Sequence, residues 1–283
     1  MPAAPDPHAA DADIGRSDRT LVALAATRVP TRLRPRFAPL LRRGDLAVLH
    51  GLAEGLRFPV VAVPPGHPHT RLLLLGDLEA PVQEALRRSV PPGSVVYDIG
   101  ANIGFFSALA GRLTGPTGRV VGFEPVPRIA DLARAAIARN GLAGHVEIRT
   151  QAVAATAGTA ALHVVGEASW SHLASRGRHP DTVATIDVEV VALDALLQDG
   201  TPPPDVVKLD VEGAEVEALR GATALLRDHR PVLVVELHDT NDEVADLLED
   251  AGYRLENLDG PEPVRQAGAV RLLARPSRGV TTS

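Results

Sequence analysis

Residues 94–104 read Ser-Val-Val-Tyr-Asp-Ile-Gly-Ala-Asn-Ile-Gly. The apolar, β-branched stretch around Val95–Ile99 reads as a buried strand, and the Phe-Phe-Ser-Ala-Leu-Ala-Gly-Arg-Leu that follows from Phe105 reads as a helix. A strand, a glycine turn and a helix in succession mark the place where an open α/β sheet binds its ligand. Glycine at Gly100 and Gly104 permits positive φ and lets backbone approach a ligand closely. The spacing is Gly-x-x-x-Gly, with Asp98 two residues ahead. A dinucleotide fingerprint wants a further glycine where Asn102 stands, and no Gly-Lys-Ser/Thr of a phosphate loop follows. With no pyrophosphate to cradle, the turn suits a nucleoside carrying a zwitterionic amino-acid tail. Asp98 would then lie near the tail's ammonium, with backbone around Gly100 and Gly104 lining the tail and ribose.

Outward from this turn the same pattern repeats. Gly118–Glu124 reads as a second strand, Pro127–Gly141 as a helix closed by glycine, and His145–Val153 as a third strand. Gly158–Val165 and Ala184–Leu193 read as two additional strands around a loop holding Ser169, Trp170, Ser171 and His172. Pro204–Val211 is a strand, Gly213–Asp228 a helix, Arg230–Asp239 a strand and Asp242–Gly252 a helix. Tyr253–Leu258 and Ala269–Ala274 suggest a closing antiparallel pair. Strands separated by helices of this length predict an α/β fold, a mostly parallel sheet with helices on both faces.

Upstream, residues 1–20 are Ala/Pro/Asp-rich and read as a disordered tail. Residues 21–93 read as a helical and hairpin cap: apolar periodicity from Ala38 to Leu52 suggests a helix, and Phe58–Val63 with Arg71–Gly76 a hairpin. A further helix, Ala80–Val90, ends at Pro91-Pro92-Gly93. The cluster Arg32, Arg34, Arg36, Arg42 and Arg43 reads as a solvated face. The main domain is expected over 94–275 and a flexible tail over 276–283.

Composition bounds the function. The 283 residues include no cysteine, which excludes disulfides, thiolate catalysis and Cys-ligated zinc. A net charge of -6 speaks against a nucleic-acid partner. No apolar run reaches the ~18 residues a membrane span needs, and the acidic, Pro-rich start does not resemble a signal peptide. A cytoplasmic protein is expected. Lys208 is the single lysine among 29 Lys and Arg residues. In a chain that uses Arg almost wherever a cation is needed, that lysine marks a place for a compact ammonium rather than a planar fork.

Glu124 ends the second strand, about 20 residues beyond the glycine turn, where a carboxylate can accept both hydroxyls of a ribose. Lys208, Asp210 and Glu212 alternate, so an extended strand would point all three to one side. Glu236 and His238 alternate likewise on the next strand, and if the two strands are neighbours, five polar groups converge at the top of the sheet. Buried charges need partners, and clustered perturbed groups suggest chemistry. His238 is the preferred general base, because its ordinary pKa lies nearest neutrality, with Asp210 a close second. Lys208 would hold the acids ionised or lower the pKa of an acceptor hydroxyl. The carboxylates with His238 also offer oxygen and nitrogen ligands to Mg²⁺ or a similar cation, although no metal is favoured. His163 and His179 have no evident partners in the sequence.

The segments Asp-Ile-Gly-Ala-Asn-Ile-Gly (98–104), Gly-Phe-Glu-Pro (122–125), Lys-Leu-Asp-Val-Glu-Gly-Ala-Glu (208–215) and Val-Val-Glu-Leu-His (234–238) together resemble the FkbM family of S-adenosylmethionine-dependent methyltransferases. The resemblance runs from about Leu74 to Tyr253. It implies a class I methyltransferase fold and O-methylation of hydroxyls, commonly on sugars and polyketide-type natural products. By that similarity Asp98, Gly100, Asn102 and Gly104 form the cofactor turn and Glu124 is the ribose acid. Glu79 resembles an acidic position that reaches the methionine ammonium, and Thr150, Gln151 and Ala152 fall where such folds hold the adenine.

The expected partner is therefore a small-molecule hydroxyl acceptor, with no nucleic acid and no membrane; a homo-oligomer stays open. Two other readings use the same sheet. A nucleotide-linked oxidoreductase is disfavoured by Asn102. A non-catalytic member of the fold is disfavoured by the retained Lys208–Asp210–Glu212 cluster. A nucleic-acid methyltransferase lacks support, since no Asn/Asp-Pro-Pro-Tyr-like motif occurs.

Overall fold

The computed structural model describes residues 16–30, 32–33, 44–62, 69–165, 172–173, 182–268 and 270–277. The chain divides into two compact units, Met1–Ala80 with Ala138–Asn140, and Pro81–Ile137 with Gly141–Ser283. The division falls before Pro81 rather than at Gly93, and the Ala80–Ser89 helix buries Val82, Ala85 and Leu86 on one face. Arg34, Arg36, Arg42, Arg43, Ser169, Trp170, Ser171 and His179 lie outside the described residues, as do 278–283.

In the N-terminal unit a helix begins at Arg16, inside the stretch expected to be disordered. It forms because Thr20, Ala23 and Ala26 fall on one face and are wholly buried there. The Thr20 hydroxyl accepts a hydrogen bond from the Ala47 amide at 3.0 Å. The strand β1 (Asp45–Ala47) pairs antiparallel with β2 (Arg57–Pro59), so part of the expected Ala38–Leu52 helix is a strand. The expected hairpin between Phe58–Val63 and Arg71–Gly76 is likewise corrected: Thr70–Leu75 is a helix ended by Gly76 in the left-handed region. A short leucine run carries no period that separates strand from helix. Asn140 clamps β2 at Arg57, accepting from its amide and donating to its carbonyl, each at 2.9 Å.

The larger unit is built on a seven-stranded sheet containing β3 (Val95–Ile99), β4 (Arg119–Phe123), β5 (Val146–Arg149), β10 (Val206–Leu209), β11 (Val232–Glu236), β12 (Tyr253–Asn257) and β13 (Arg271–Pro276). Numbered in chain order, these seven lie 6-7-5-4-1-2-3 across the sheet. The first five run parallel, and β13 pairs antiparallel with both β11 and β12, which gives the expected closing pair. The sheet is apolar through its middle. Tyr97, Ile99, Val121, Phe123, Val207, Leu209, Leu233 and Val235 are buried in one cluster with Leu219 and Leu248 from the covering helices. The Tyr97 and Phe123 rings meet edge-on with centroids 5.8 Å apart.

The third strand expected over His145–Val153 divides in two. Val146–Arg149 joins the main sheet, while β6 (Ala152–Val153) joins a second sheet of order β6-β9-β7-β8, with β7 (Gly158–Val165), β8 (His172–Leu173) and β9 (Thr182–Val191). Thr150 and Gln151 therefore sit where the chain changes sheets. The chain leaves β3 toward β4 on one side and β10 pairs on the other, so β3 and β10 flank the point where the strand order reverses. Ligands bind outside the carboxyl ends of the strands at such a point.

Candidate active site

The glycine turn is held by what surrounds it. Gly100, Asn102 and Gly104 all have positive φ, at 82°, 48° and 84°. A Cβ on Gly100 would stand 1.8 Å from the Asp210 carbonyl oxygen, so only glycine lets the ends of β3 and β10 close on each other. Gly104 starts the Phe105–Thr114 helix and packs on Ala133, whose Cα a Cβ would meet at 3.1 Å. Glu124 is 7% exposed, so it is no solvated strand-end acid. Its Oε2 accepts from the Asn102 amide at 3.0 Å and its Oε1 from the Val126 amide at 2.9 Å. Burial pushes its pKa up to about 7 against those two amides. A carboxylate offers about four acceptor sites, so Glu124 straps the turn and retains capacity for a diol.

Beneath the turn lies a buried charged chain. Lys208 and Asp98 are register partners on adjacent parallel strands, 3% and 1% exposed. The Lys208 ammonium donates to Asp210 Oδ2 at 3.0 Å, lies 3.9 Å from Asp98 Oδ1 and sits 4.9 Å from the Phe106 ring centre. Asp98 Oδ2 accepts from the Ser107 hydroxyl at 2.5 Å, while Oδ1 is buried with no hydrogen-bond partner. Burial raises the Asp98 pKa, opposed by Lys208 and Ser107. A buried place beside two carboxylates and the Phe106 ring suits a compact ammonium on a straight stem, which is why lysine stands in this arginine-rich chain.

The expected convergence at the ends of β10 and β11 is present, but not through alternation on strands. β10 ends at Leu209, and Glu212 occupies a left-handed turn with φ 49°. His238 follows β11, which ends at Glu236. The turn nevertheless swings Glu212 to the histidine: its Oε2 is 3.5 Å from His238 Nε2. Asp210, Glu212 and His238 each offer a ligand atom within 4.8 Å of the others, so these three could hold a divalent cation. Glu236 adds negative charge nearby. Burial first, with Asp210, Glu236 and Glu215, pushes the Glu212 pKa up to about 7 against the opposing His238.

Sequence reasoning passed over Glu215, the last residue of the Lys-Leu-Asp-Val-Glu-Gly-Ala-Glu segment. It opens the Glu215–Arg220 helix and is fully buried. Its Oε1 accepts from the Gly213 amide at 2.8 Å and faces His238 Nδ1 at 2.9 Å, and its Oε2 accepts from the Thr240 hydroxyl at 2.9 Å. The sequence carries no local signal for this, since Glu217 and Arg220 share the helix and Glu215 does not stand out by residue type. Burial opposes a charge on His238, but Glu215, Glu212 and Asp210 outweigh it and push the imidazole pKa up to about 9.

Gln151 donates through Nε2 to Glu189 of β9 at 2.7 Å, which leaves its buried Oε1 without a partner. An orphaned carbonyl beside the sheet change is suited to an exocyclic amine. Ala152 is 6% exposed in the cluster of Val126, Ile129, Leu162 and Val190. Thr150 accepts from Arg134 at 2.6 Å. Glu79 lies in the N-terminal unit at φ 44°. His163 Nδ1 is 3.0 Å from the Thr185 hydroxyl on β9.

Residues 98–255 match the methyltransferase FkbM domain family. The chain belongs to that family. The glycine turn, the strapped Glu124 and the cluster at the ends of β10 and β11 all fall within the matched span. The family fixes the fold as class I methyltransferase and the cofactor as S-adenosylmethionine. The chain is 29% identical over 177 residues to a hexuronic acid methyltransferase, AglP, of Haloferax volcanii, covering 61% of this chain and 69% of that protein. It is 30% identical over 193 residues to the 31-O-demethyl-FK506 methyltransferase FkbM of Streptomyces tacrolimicus, covering 57% and 73%. The methyltransferase FkbM structure from Methylobacillus flagellatus KT aligns at TM-score 0.46 with 16% identity, over 86% of this chain and 59% of that one. Among the described residues no helix is long and apolar enough to cross a membrane.

The residues present fit the cofactor. Spare acceptor capacity on buried Glu124, the partnerless Gln151 carbonyl and the partnerless, buried Asp98 Oδ1 supply an acceptor for a ribose diol, an adenine amine and an ammonium.

Proposed function

We propose that this methyltransferase is an O-methyltransferase acting on a hydroxyl of a small molecule, a sugar or polyketide-type natural product. The observation that carries the reading is the imidazole of His238, poised between carboxylates at the ends of β10 and β11 beside the cofactor turn. Bound S-adenosylmethionine supplies a methyl on a sulfonium, an excellent leaving arrangement. The chain's own work is to hold an acceptor oxygen in line and to remove its proton. Holding the two reactants in place is the larger part. His238 Nε2 takes the hydroxyl proton as the new C–O bond forms, which spares the site an oxonium. Asp210, kept in place by Lys208, and Glu212 balance the imidazolium so produced. Gly100, Gly104 and Glu124 hold the tail and ribose, and Gln151 the adenine. The two relatives named above, one for a hexuronic acid and one for an O-demethylated macrocycle, support the acceptor class. A cytoplasmic location belongs to the same proposal, since S-adenosylmethionine is made there.

The test is transfer of isotope-labelled methyl from S-adenosylmethionine to a panel of uronic acids, neutral sugars and macrolide alcohols, with the product bond located by NMR. A new O–CH₃ on any of them supports the reading; methyl found only on nitrogen, sulfur or carbon acceptors overturns it. The ligand set Asp210–Glu212–His238 gives a second reading, in which a divalent cation rather than the imidazole activates the hydroxyl. Turnover unchanged after exhaustive EDTA treatment is the expected result. Loss of turnover restored by Mg²⁺ would reassign the three residues to a metal.

A further inference from the structure

We infer that Glu215 is a positioning residue: its buried carboxylate fixes the His238 proton on Nδ1 and so turns the Nε2 lone pair toward the acceptor. This deepens the reading of His238 as the base and rests on it.

The geometry is specific. Glu215 is the one acid of the cluster with no exposure, whereas the His238 and Glu212 side chains are 27% and 28% exposed. Its two oxygens accept from the Gly213 amide in the turn after β10 and the Thr240 hydroxyl after β11, and Oε1 stands 2.9 Å from His238 Nδ1. An ionised carboxylate only accepts, so the imidazole nitrogen 2.9 Å away must carry the hydrogen. Nε2 is then the nitrogen free to change protonation, and it faces the looser contact, Glu212 at 3.5 Å. A free imidazole leans toward the opposite tautomer, so without Glu215 the lone pair would sit mostly on Nδ1, turned into the protein.

The charge matters as well as the geometry. Charged groups facing His238 are Asp210 and Glu212 from the turn after β10 and Glu215 from the helix that follows, while Glu236 lies two residues back on its own strand. All are acids, so each strengthens the base at the cost of holding it protonated near neutrality. Among the described residues Glu215 is the nearest of these acids, its Oε1 2.9 Å from the ring against 3.5 Å for Glu212.

The experiment is ¹⁵N NMR of histidine-labelled full-length protein, with the His238 signal assigned by its loss in His238→Gln, alongside the kcat/KM pH profile. In the wild type the neutral ring should show the Nδ1–H form. Glu215→Gln keeps an acceptor of the same shape without the charge. Its His238 pKa and the acid limb of kcat/KM should both fall by about 1–3 units, the usual effect of removing an adjacent opposite charge, with KM for the acceptor unchanged. Glu215→Ala should convert the neutral ring mainly to Nε2–H. A wild-type ring already in the Nε2–H form, or a Glu215→Gln titration superimposable on the wild type, overturns the inference. If Glu215→Ala fails to fold, the isosteric Glu215→Gln decides alone. The base reading fails separately, if His238→Gln keeps full turnover, and the tautomer measurement needs no turnover at all.

Discussion

His238→Ala should lower kcat by about 10²–10⁴-fold, the usual contribution of a positioned general base. Affinity for S-adenosylhomocysteine should stay near the wild-type value, because Gly100, Gly104, Glu124 and Gln151, the residues proposed to hold the cofactor, belong to the ends of other strands. The split between kcat and cofactor binding is the informative part. A structural histidine would lose both together with stability, since its removal leaves buried Glu215 one donor short. Single-turnover rates and calorimetry on the same preparation separate the two. Equal loss of cofactor affinity and rate would remove His238 from the chemistry.

Lys208→Met should cost about 3–5 kcal/mol of stability, the range for breaking a buried ion pair from one side. The methionine stem keeps the packing of the lysine stem near Phe106, so the loss reports the charge rather than a cavity. What remains is Asp98, 1% exposed, with the Ser107 hydroxyl and amide as donors but no cation, and Asp210 without its ammonium. The pH dependence has a defined sign. Burial already raises the Asp98 pKa above its unfolded value, and losing Lys208 raises it further. The folded state then holds a proton that the unfolded state releases, so stability falls as pH rises from the unfolded pKa through the folded one. Denaturant midpoints should therefore show a deficit that grows as pH rises above the ordinary carboxylate range and shrinks as pH falls back toward it. A pH-independent deficit, or none, would contradict the network. Lys208→Arg should recover part of the charge but not the wild-type stability, because a planar guanidinium is a poor substitute for a compact ammonium at this buried place.

The glycine turn was legible in the sequence because everything that makes it is local. Asp98, Gly100, Asn102 and Gly104 lie within seven residues, and the positive φ values at 100 and 104 are what glycine announces. The closing antiparallel pair was legible for a similar reason, two short alternating runs near the end of the domain. The N-terminal unit was misread where composition lacks a period. Four consecutive leucines in Arg71–Gly76 fit a strand or a helix equally, and only tertiary packing chose the helix. The third strand was misread because one apolar run serves two sheets, Val146–Arg149 in the main sheet and Ala152–Val153 in the other.

The cluster around His238 shows the same division. Its members were found by residue type and by the adjacency of β10 and β11, which the parallel ladder Val206–Leu209 against Val232–Val235 supplies. The mechanism of convergence was not found. Alternation would need β10 to run through Glu212, whereas the strand stops at Leu209 and Glu212 reaches His238 from a left-handed turn. Glu215 escaped altogether, because its meaning depends on two residues, His238 and Thr240, that lie beyond the next helix and strand. Local spacing fixes where a ligand binds; the proton path is set by contacts between segments that the sequence keeps far apart.

The most direct measurement is a crystal structure with S-adenosylhomocysteine bound. The ribose hydroxyls should lie on Glu124, the adenine amine on the Gln151 carbonyl, and the sulfur should face a space bordered by His238 Nε2 and Asp210. Product cofactor seated with its sulfur away from the ends of β10 and β11, or with Glu124 turned from the ribose, would contradict the account.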